Sequence, residues 1–178
     1  MNLPPSMQTA TEWGSHLPAL LACIAVTDGP VLELGMGHFS TPQLHALCVA
    51  SGRFLVSIEQ DTEWHEEFKK YAHEYYHEIR TGAYCALLDE AATDGLTDKW
   101  GVAFIDHSPG GANRANAFKQ LKEVSDYVVM HDAQRDAENF KAVEPMLEGV
   151  NWYLCTGYFP HTLVCSKTRP IPEVLLGM

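Results

Sequence analysis

The feature that most constrains this chain is an alternation between short apolar runs, suited to buried strands, and stretches long enough to be helices. Val31 to Leu34, Arg53 to Glu59, Ala83 to Leu88, Trp100 to Ile105 and Tyr127 to Met130 are the strand candidates in order. Thr41 to Ser51, Asp61 to Arg80, Asn113 to Glu123 and Ala133 to Leu147 are the helical stretches among them, with Thr41 and Asp61 as N-caps. Trp64, Phe68, Tyr71, Tyr75 and Ile79 fall at helical spacing on one face of the second stretch. Crossovers of this length join parallel strands, so the pattern predicts a mostly parallel sheet covered on both faces. The close is different. Trp152 to Thr156 and His161 to Ser166 flank a turn at Gly157 to Pro160, which predicts an antiparallel hairpin. The expected fold class is α/β: a doubly wound, mostly parallel seven-stranded sheet with a C-terminal antiparallel hairpin.

A length of 178 residues suits one domain over 1–178, with 1–28 as a lead-in and a short helix at Leu17 to Val26. Twelve Lys and Arg against 23 Asp and Glu give a net charge of −11, which repels nucleic-acid backbones and anionic membranes. No Lys or Arg precedes Arg53, so neither a secretory signal nor a transit peptide is expected. The longest apolar stretch is about half of what a membrane crossing needs. Five cysteines without a CxxC pair predict free, buried thiols and a cytoplasmic protein.

The densest signal is Glu33-Leu-Gly35-Met-Gly37-His38-Phe-Ser40, at the end of the first strand. Glycines two apart allow a tight turn and close approach of a ligand, and the next helix turns its free N–H groups toward it. Glu59 closes the second strand 24 residues after Gly35, where an acid accepts hydrogen bonds from ribose hydroxyls. A carboxylate at Glu33 suits a ligand bearing an ammonium or sulfonium group and penalises a pyrophosphate. These observations favour S-adenosylmethionine over NAD.

The ELGMGHFS segment resembles the first motif of class I S-adenosylmethionine-dependent methyltransferases: an acid, then GxG, then Ser or Thr. The resemblance runs from about Val31 to Ser166 and implies their Rossmann-like fold. It places Glu33 near the methionine amino group, Gly35 and Gly37 along the methyl donor, Glu59 on the ribose, Asp89 near the adenine and Asp106 beside the methyl donor. His38, Ser40, Gln60 and His107 are the neighbouring candidates for contact with the cofactor.

Polar residues also follow the fourth and fifth apolar runs: Asp106-His107 and His131-Asp132. Ligands in open α/β sheets bind outside the carboxyl ends of strands, so these four should share one rim. Such a group suits a metal or a proton abstraction, with His107 or His131 as base. Asp132 also suits the N-cap of a helix beginning at Ala133. Metal-dependent O-methyltransferases resemble this pattern, using an Asp after strand four and an Asp-Asn pair after strand five. Here Asp106 and Asp132 remain while Ala133 replaces the Asn, implying a site for Mg²⁺ or another divalent cation with one ligand fewer.

The function expected is transfer of the sulfonium methyl to a small-molecule acceptor, a hydroxyl, by in-line displacement with His or metal assistance. Trp13 and His16 are candidates to line the acceptor pocket, and the open rim leaves room for a homodimer to complete it. Two alternatives stand beside it: a non-catalytic protein binding S-adenosylmethionine or S-adenosylhomocysteine, and an NAD-dependent oxidoreductase or epimerase. His73-Glu-Tyr-Tyr-His77 matches the HExxH zinc pattern on the predicted second helix, but no third ligand follows at the usual spacing.

Overall fold

The computed structural model describes residues 13–84 and 99–177. Seven strands form one sheet: β1 (Val31–Leu34), β2 (Leu55–Glu59), β3 (His77–Thr81), β4 (Trp100–Ile105), β5 (Ser125–Met130), β6 (Asn151–Cys155) and β7 (Thr162–Ser166). Their order is β3-β2-β1-β4-β5-β7-β6, parallel through β5, with β7 antiparallel to both β5 and β6. Among the described residues the α-helices are α1 (Leu17–Ala25), α2 (Thr41–Ser51), α3 (Thr62–Phe68), α4 (Ala112–Val124) and α5 (Glu138–Val143). The expected doubly wound sheet with its closing hairpin is therefore present. Among the described residues no helix is long and apolar enough to cross a membrane.

Strand alternation divides the core into two layers. Leu32, Leu34, Val56, Ile58, Ala103, Ile105, Val128 and Met130 pack with Phe118 and Leu121 of α4 and Phe140 and Val143 of α5. Val31, Leu55, Val102, Phe104, Tyr127 and Val129 face the other way, onto Leu20 and Cys23 of α1 and Leu44 and Cys48 of α2. Cys23, Cys48, Cys155 and Cys165 are free and buried, as small core residues should be; Cys85 lies outside the described residues. Arg53 closes the far end of α1 by donating to the carbonyls of Ile24, Thr27 and Gly29.

Two helices are shorter than their sequence patterns predict. Asp61 caps α3 by accepting from the amides of Glu63 and Trp64, but the helix ends at Phe68 and one 3₁₀ turn follows to Tyr71. At Ala72 the backbone becomes extended, with ψ 135, and a tight reversal between His73 and His77 leads into β3. The segment expected to finish a helix is thus the strand that pairs with all of Leu55 to Glu59. That pairing outweighs local helical spacing, and Tyr75 is exposed rather than packed on a helical face. The predicted third strand begins too late: Ala83 and Tyr84 already follow β3, and 85–88 lie outside the described residues. The HExxH residues span a turn and a strand start, so they do not share a helix face.

The second shortened helix is α5, which begins at Glu138 instead of Ala133. After β5 the chain passes through Asp132 at φ 55, a conformation Asp tolerates better than most side chains. The Ala133 amide then donates to the His161 carbonyl, tying this rim loop to the β6–β7 turn before any helix starts. Asp132 is therefore not a helix cap.

Candidate active site

Register brings the polar residues together. Leu34 pairs with Ile58 and Ile105, and Ile105 with Met130, so Gly35, Glu59, Asp106 and His131 are the next residues along four adjacent strands. Backbone bonds hold the row: Gly35 donates to Ile58, Asp106 to Leu34 and His131 to Ile105. Sheet order reverses between β1 and β4, the place where open α/β sheets bind ligands. Gly35, at φ 90, is required there. A Cβ would come within 2.7 Å of the His107 backbone. Gly37 is different, since its Cβ would meet only the Ser40 hydroxyl at 3.7 Å. It leaves open space in the cleft.

A cleft of about 390 Å³ opens over this loop, lined by Gly35 to Ser40, Glu59, Asp61, Trp64, Asp106, His107, Ser108, Trp13 and His16. Glu59 is fixed in its wall. One oxygen accepts from the Met36 amide at 2.9 Å, the other from the Asp61 amide at 2.9 Å and the Tyr84 hydroxyl at 3.1 Å. His38 lies over Trp64 and Phe68, with Nε2 3.4 Å from Glu67. Gln60 turns from this cleft and donates to the Ser108 carbonyl, lining a cavity of about 100 Å³ beyond His107. Asp89 lies outside the described residues.

Glu33 is not in the wall. It is 0% exposed, and Ser40, Thr41 and Ser57 give its carboxylate their hydroxyl protons. Burial outweighs those bonds and pushes its carboxyl up to about 7. Because Thr41 also accepts from the Gly37 amide, Glu33 holds the glycine loop from behind.

A second cleft of about 350 Å³ adjoins the first, lined by Trp13, Asp106, Arg114, His131, Asp132, Phe159 and Pro160. Trp13 and Asp106 belong to both. Asp106 takes Arg114 Nη2 at 3.1 Å on Oδ1, and His131 Nδ1 lies 3.2 and 3.3 Å from its two oxygens. Burial would raise this carboxyl, but the bond and charge of His131, with the Arg114 guanidinium, hold it below the usual range. Asp132 shares the same partners more loosely, 3.4 Å from Arg114 and 3.8 Å from His131. Arg114 also donates to the His107 and His131 carbonyls at 2.7 and 2.9 Å, joining the ends of β4 and β5.

The remaining histidines differ in what they can do. His107 is buried and stacked on Tyr84 at 4.1 Å, beside the Pro109 backbone. Burial and the Arg114 charge bring it down to about 4, against a weaker pull upward from Asp106. His16, just before α1, packs on Phe104 and edge-on to His131, each at 4.7 Å, and among the described residues its ring nitrogens have no hydrogen-bond partner. Burial and His131 bring it down to about 4, with Asp106 opposing. His16 and Trp13 are legible in the sequence as site candidates, whereas Ser15, Arg114 and Phe159 join the site only through the fold. Arg114 had one available signal: a cation in the first turn of the helix after Asp106, in a chain poor in cations.

No family model matches this chain, and no curated protein matches it. Solved structures do. An O-methyltransferase from Bacillus cereus in complex with SAH has a TM-score of 0.64 at 15% identity, over 93% of this chain and 83% of that one. A TDP-rhamnose 3′-O-methyltransferase of calicheamicin biosynthesis has 0.66 at 10% identity, over 94% and 82%. An SAH-bound methyltransferase from Podospora anserina has 0.62 at 13% identity, over 93% and 89%. The chain therefore has the fold of class I S-adenosylmethionine-dependent methyltransferases.

Proposed function

We propose that this protein transfers the methyl group of S-adenosylmethionine to a hydroxyl of a small-molecule acceptor. The observation that carries the reading is the meeting of two clefts at Asp106, one over the glycine loop and one with a polar floor. When bound, S-adenosylmethionine supplies an electrophilic methyl on a sulfonium centre, and that reactivity belongs to the cofactor.

The first cleft fits such a cofactor by its chemistry. Glu59, oriented by two amides and a tyrosine hydroxyl, keeps one lone pair, on the oxygen bonded by Met36 alone, for a sugar hydroxyl. Gly37 leaves room at the loop, Trp64 offers a flat apolar wall, and Asp106 is an acid facing a cationic ligand. Glu33 contributes by positioning the loop. In the second cleft, exposed Trp13 and Phe159 flank a floor of Asp106, Arg114, His131 and Asp132. Clamping an acceptor there in line with the first cleft supplies much of the rate. With its Nε2 donating to Ser15, neutral His131 receives the hydroxyl proton on Nδ1, and the neighbouring Asp106 carboxylate stabilises the cation that forms. His107, enclosed against Tyr84, shapes the cleft instead.

Calorimetry and a labelled-methyl assay test this reading. S-adenosylhomocysteine should bind one per chain, Glu59→Ala should weaken it at least tenfold, and labelled methyl should pass to a member of a hydroxylated small-molecule panel. Binding of NAD but not S-adenosylhomocysteine would overturn the reading. Tight binding without transfer to any acceptor would favour a sensor.

A further inference from the structure

We propose that His16, Asp106 and His131 bind one divalent transition-metal ion of the zinc, iron(II) or cobalt(II) type. The metal takes Asp106 and His131, the two residues that serve as base in the metal-free protein, so with the ion bound the acceptor hydroxyl meets the ion and not a free imidazole. Ser15 Oγ lies 2.8 Å from the Pro160 carbonyl and 2.8 Å from His131 Nε2. A carbonyl only accepts, so the hydroxyl proton goes to Pro160 and Ser15 must accept from His131. That fixes a proton on Nε2. In the neutral ring Nδ1 then carries a lone pair, and it faces the Asp106 oxygens at 3.2 and 3.3 Å. Two acceptors do not face each other at this distance without a cation between them, either a proton or a metal ion.

His16 selects the metal. A proton would satisfy His131 and Asp106 and leave both buried nitrogens of His16 without a partner among the described residues. A metal ion uses all three residues, whose ligand atoms lie within 4.8 Å of one another. Ligands at about 2.1 Å from a tetrahedral zinc are roughly 3.4 Å apart, which matches the spacing between Nδ1 and the Asp106 carboxylate. Arg114 occupies Oδ1 and leaves Oδ2 for the ion. Two imidazoles and one carboxylate suit borderline metals and disfavour Mg²⁺ or Ca²⁺. Ser15 acts as the outer partner that sets the tautomer of a metal-bound histidine. Asp106 borders both clefts, so an ion held there is open to ligands from either side.

Titration of EDTA-treated full-length protein with Co²⁺, followed by visible absorption and calorimetry, reads the site directly. One ion per chain should bind, with the intense visible bands of a protein-bound cobalt, and should raise the thermal midpoint. His16→Phe keeps a ring on Phe104 but removes the ligand, and should weaken binding about 100-fold. Ser15→Ala should weaken it about 10-fold, and His45→Phe, outside the site, should change nothing. If His16→Phe fails to fold, His16→Gln gives the same reading. Absence of Co²⁺ and Zn²⁺ binding to the unmutated protein at millimolar ion, or uptake unchanged in the His16 variants, overturns the proposal. S-adenosylhomocysteine binding by the metal-free protein keeps this result separate from the fate of the methyl-transfer reading.

Discussion

Glu33 and Asp106 are acids on the same face of adjacent strands, and the protein keeps each in place by a different means. Glu33 pairs in register with Phe104, two residues short of Asp106. It lies inside the sheet, sealed, and is bonded by three hydroxyls, with the buried neutral His77 behind Ser57. Asp106 stands just past the end of its strand, borders both clefts and meets an imidazole and a guanidinium. Hydroxyls alone leave the buried carboxyl raised to about 7, while the imidazole and the guanidinium hold the other below its usual range. Two residues of strand length separate an acid that stiffens a loop from one available to ligands.

The largest effect that bears on this contrast is Asp106→Asn. Turnover should fall by about 10²–10⁴-fold, while S-adenosylhomocysteine affinity, measured by calorimetry, changes far less. Equal losses in both would make Asp106 a second Glu33, a residue of architecture only.

Glu33→Gln probes the sealed acid through pH. A carboxyl raised from 4.5 to about 7 binds more protons folded than unfolded across that window. Its contribution to stability is therefore full below pH 4.5 and is lost as pH rises through about 7. The stability of the unmutated protein relative to Glu33→Gln should fall by up to about 3 kcal/mol over that range. Urea unfolding at several pH values measures it, and a flat difference would mean that Glu33 is solvated.

Glu59, a third acid on this face, is intermediate: well bonded yet in the cleft wall. Glu59→Ala should cost about 1.5–3 kcal/mol of S-adenosylhomocysteine binding, read by calorimetry at constant pH. The smallest test separates the two glycines of the loop. Gly35→Ala should destabilise by about 1–3 kcal/mol through its φ of 90 and the His107 backbone. Gly37→Ala should change stability by less than about 0.5 kcal/mol and act on binding instead. Similar thermal shifts for both would remove the distinction between a turn glycine and a ligand glycine.

Much of this architecture could be read along the chain, because strand runs, glycines and capping acids act locally. The β1 loop, the acid closing β2, the residues ending β4 and β5 and the closing hairpin all follow from local pattern and strand order. Where distant pairing decides, sequence misleads. His77 to Thr81 continues a helical periodicity, yet becomes a strand because β2 offers it five backbone partners. Ala133 to Ala137 looks helical, yet its amide bond to His161 belongs to the hairpin turn. The same limit governs the site. Asp106 and His131 were visible as strand ends, but Ser15 reaches His131 from 116 positions away, through contact alone.

The most direct test of the account is a crystal structure with S-adenosylhomocysteine. The account predicts the nucleoside in the cleft above Gly35, its sugar hydroxyls on Glu59 and its sulfur turned toward Asp106. A ligand bound elsewhere, or a sugar pointing away from Glu59, would contradict it.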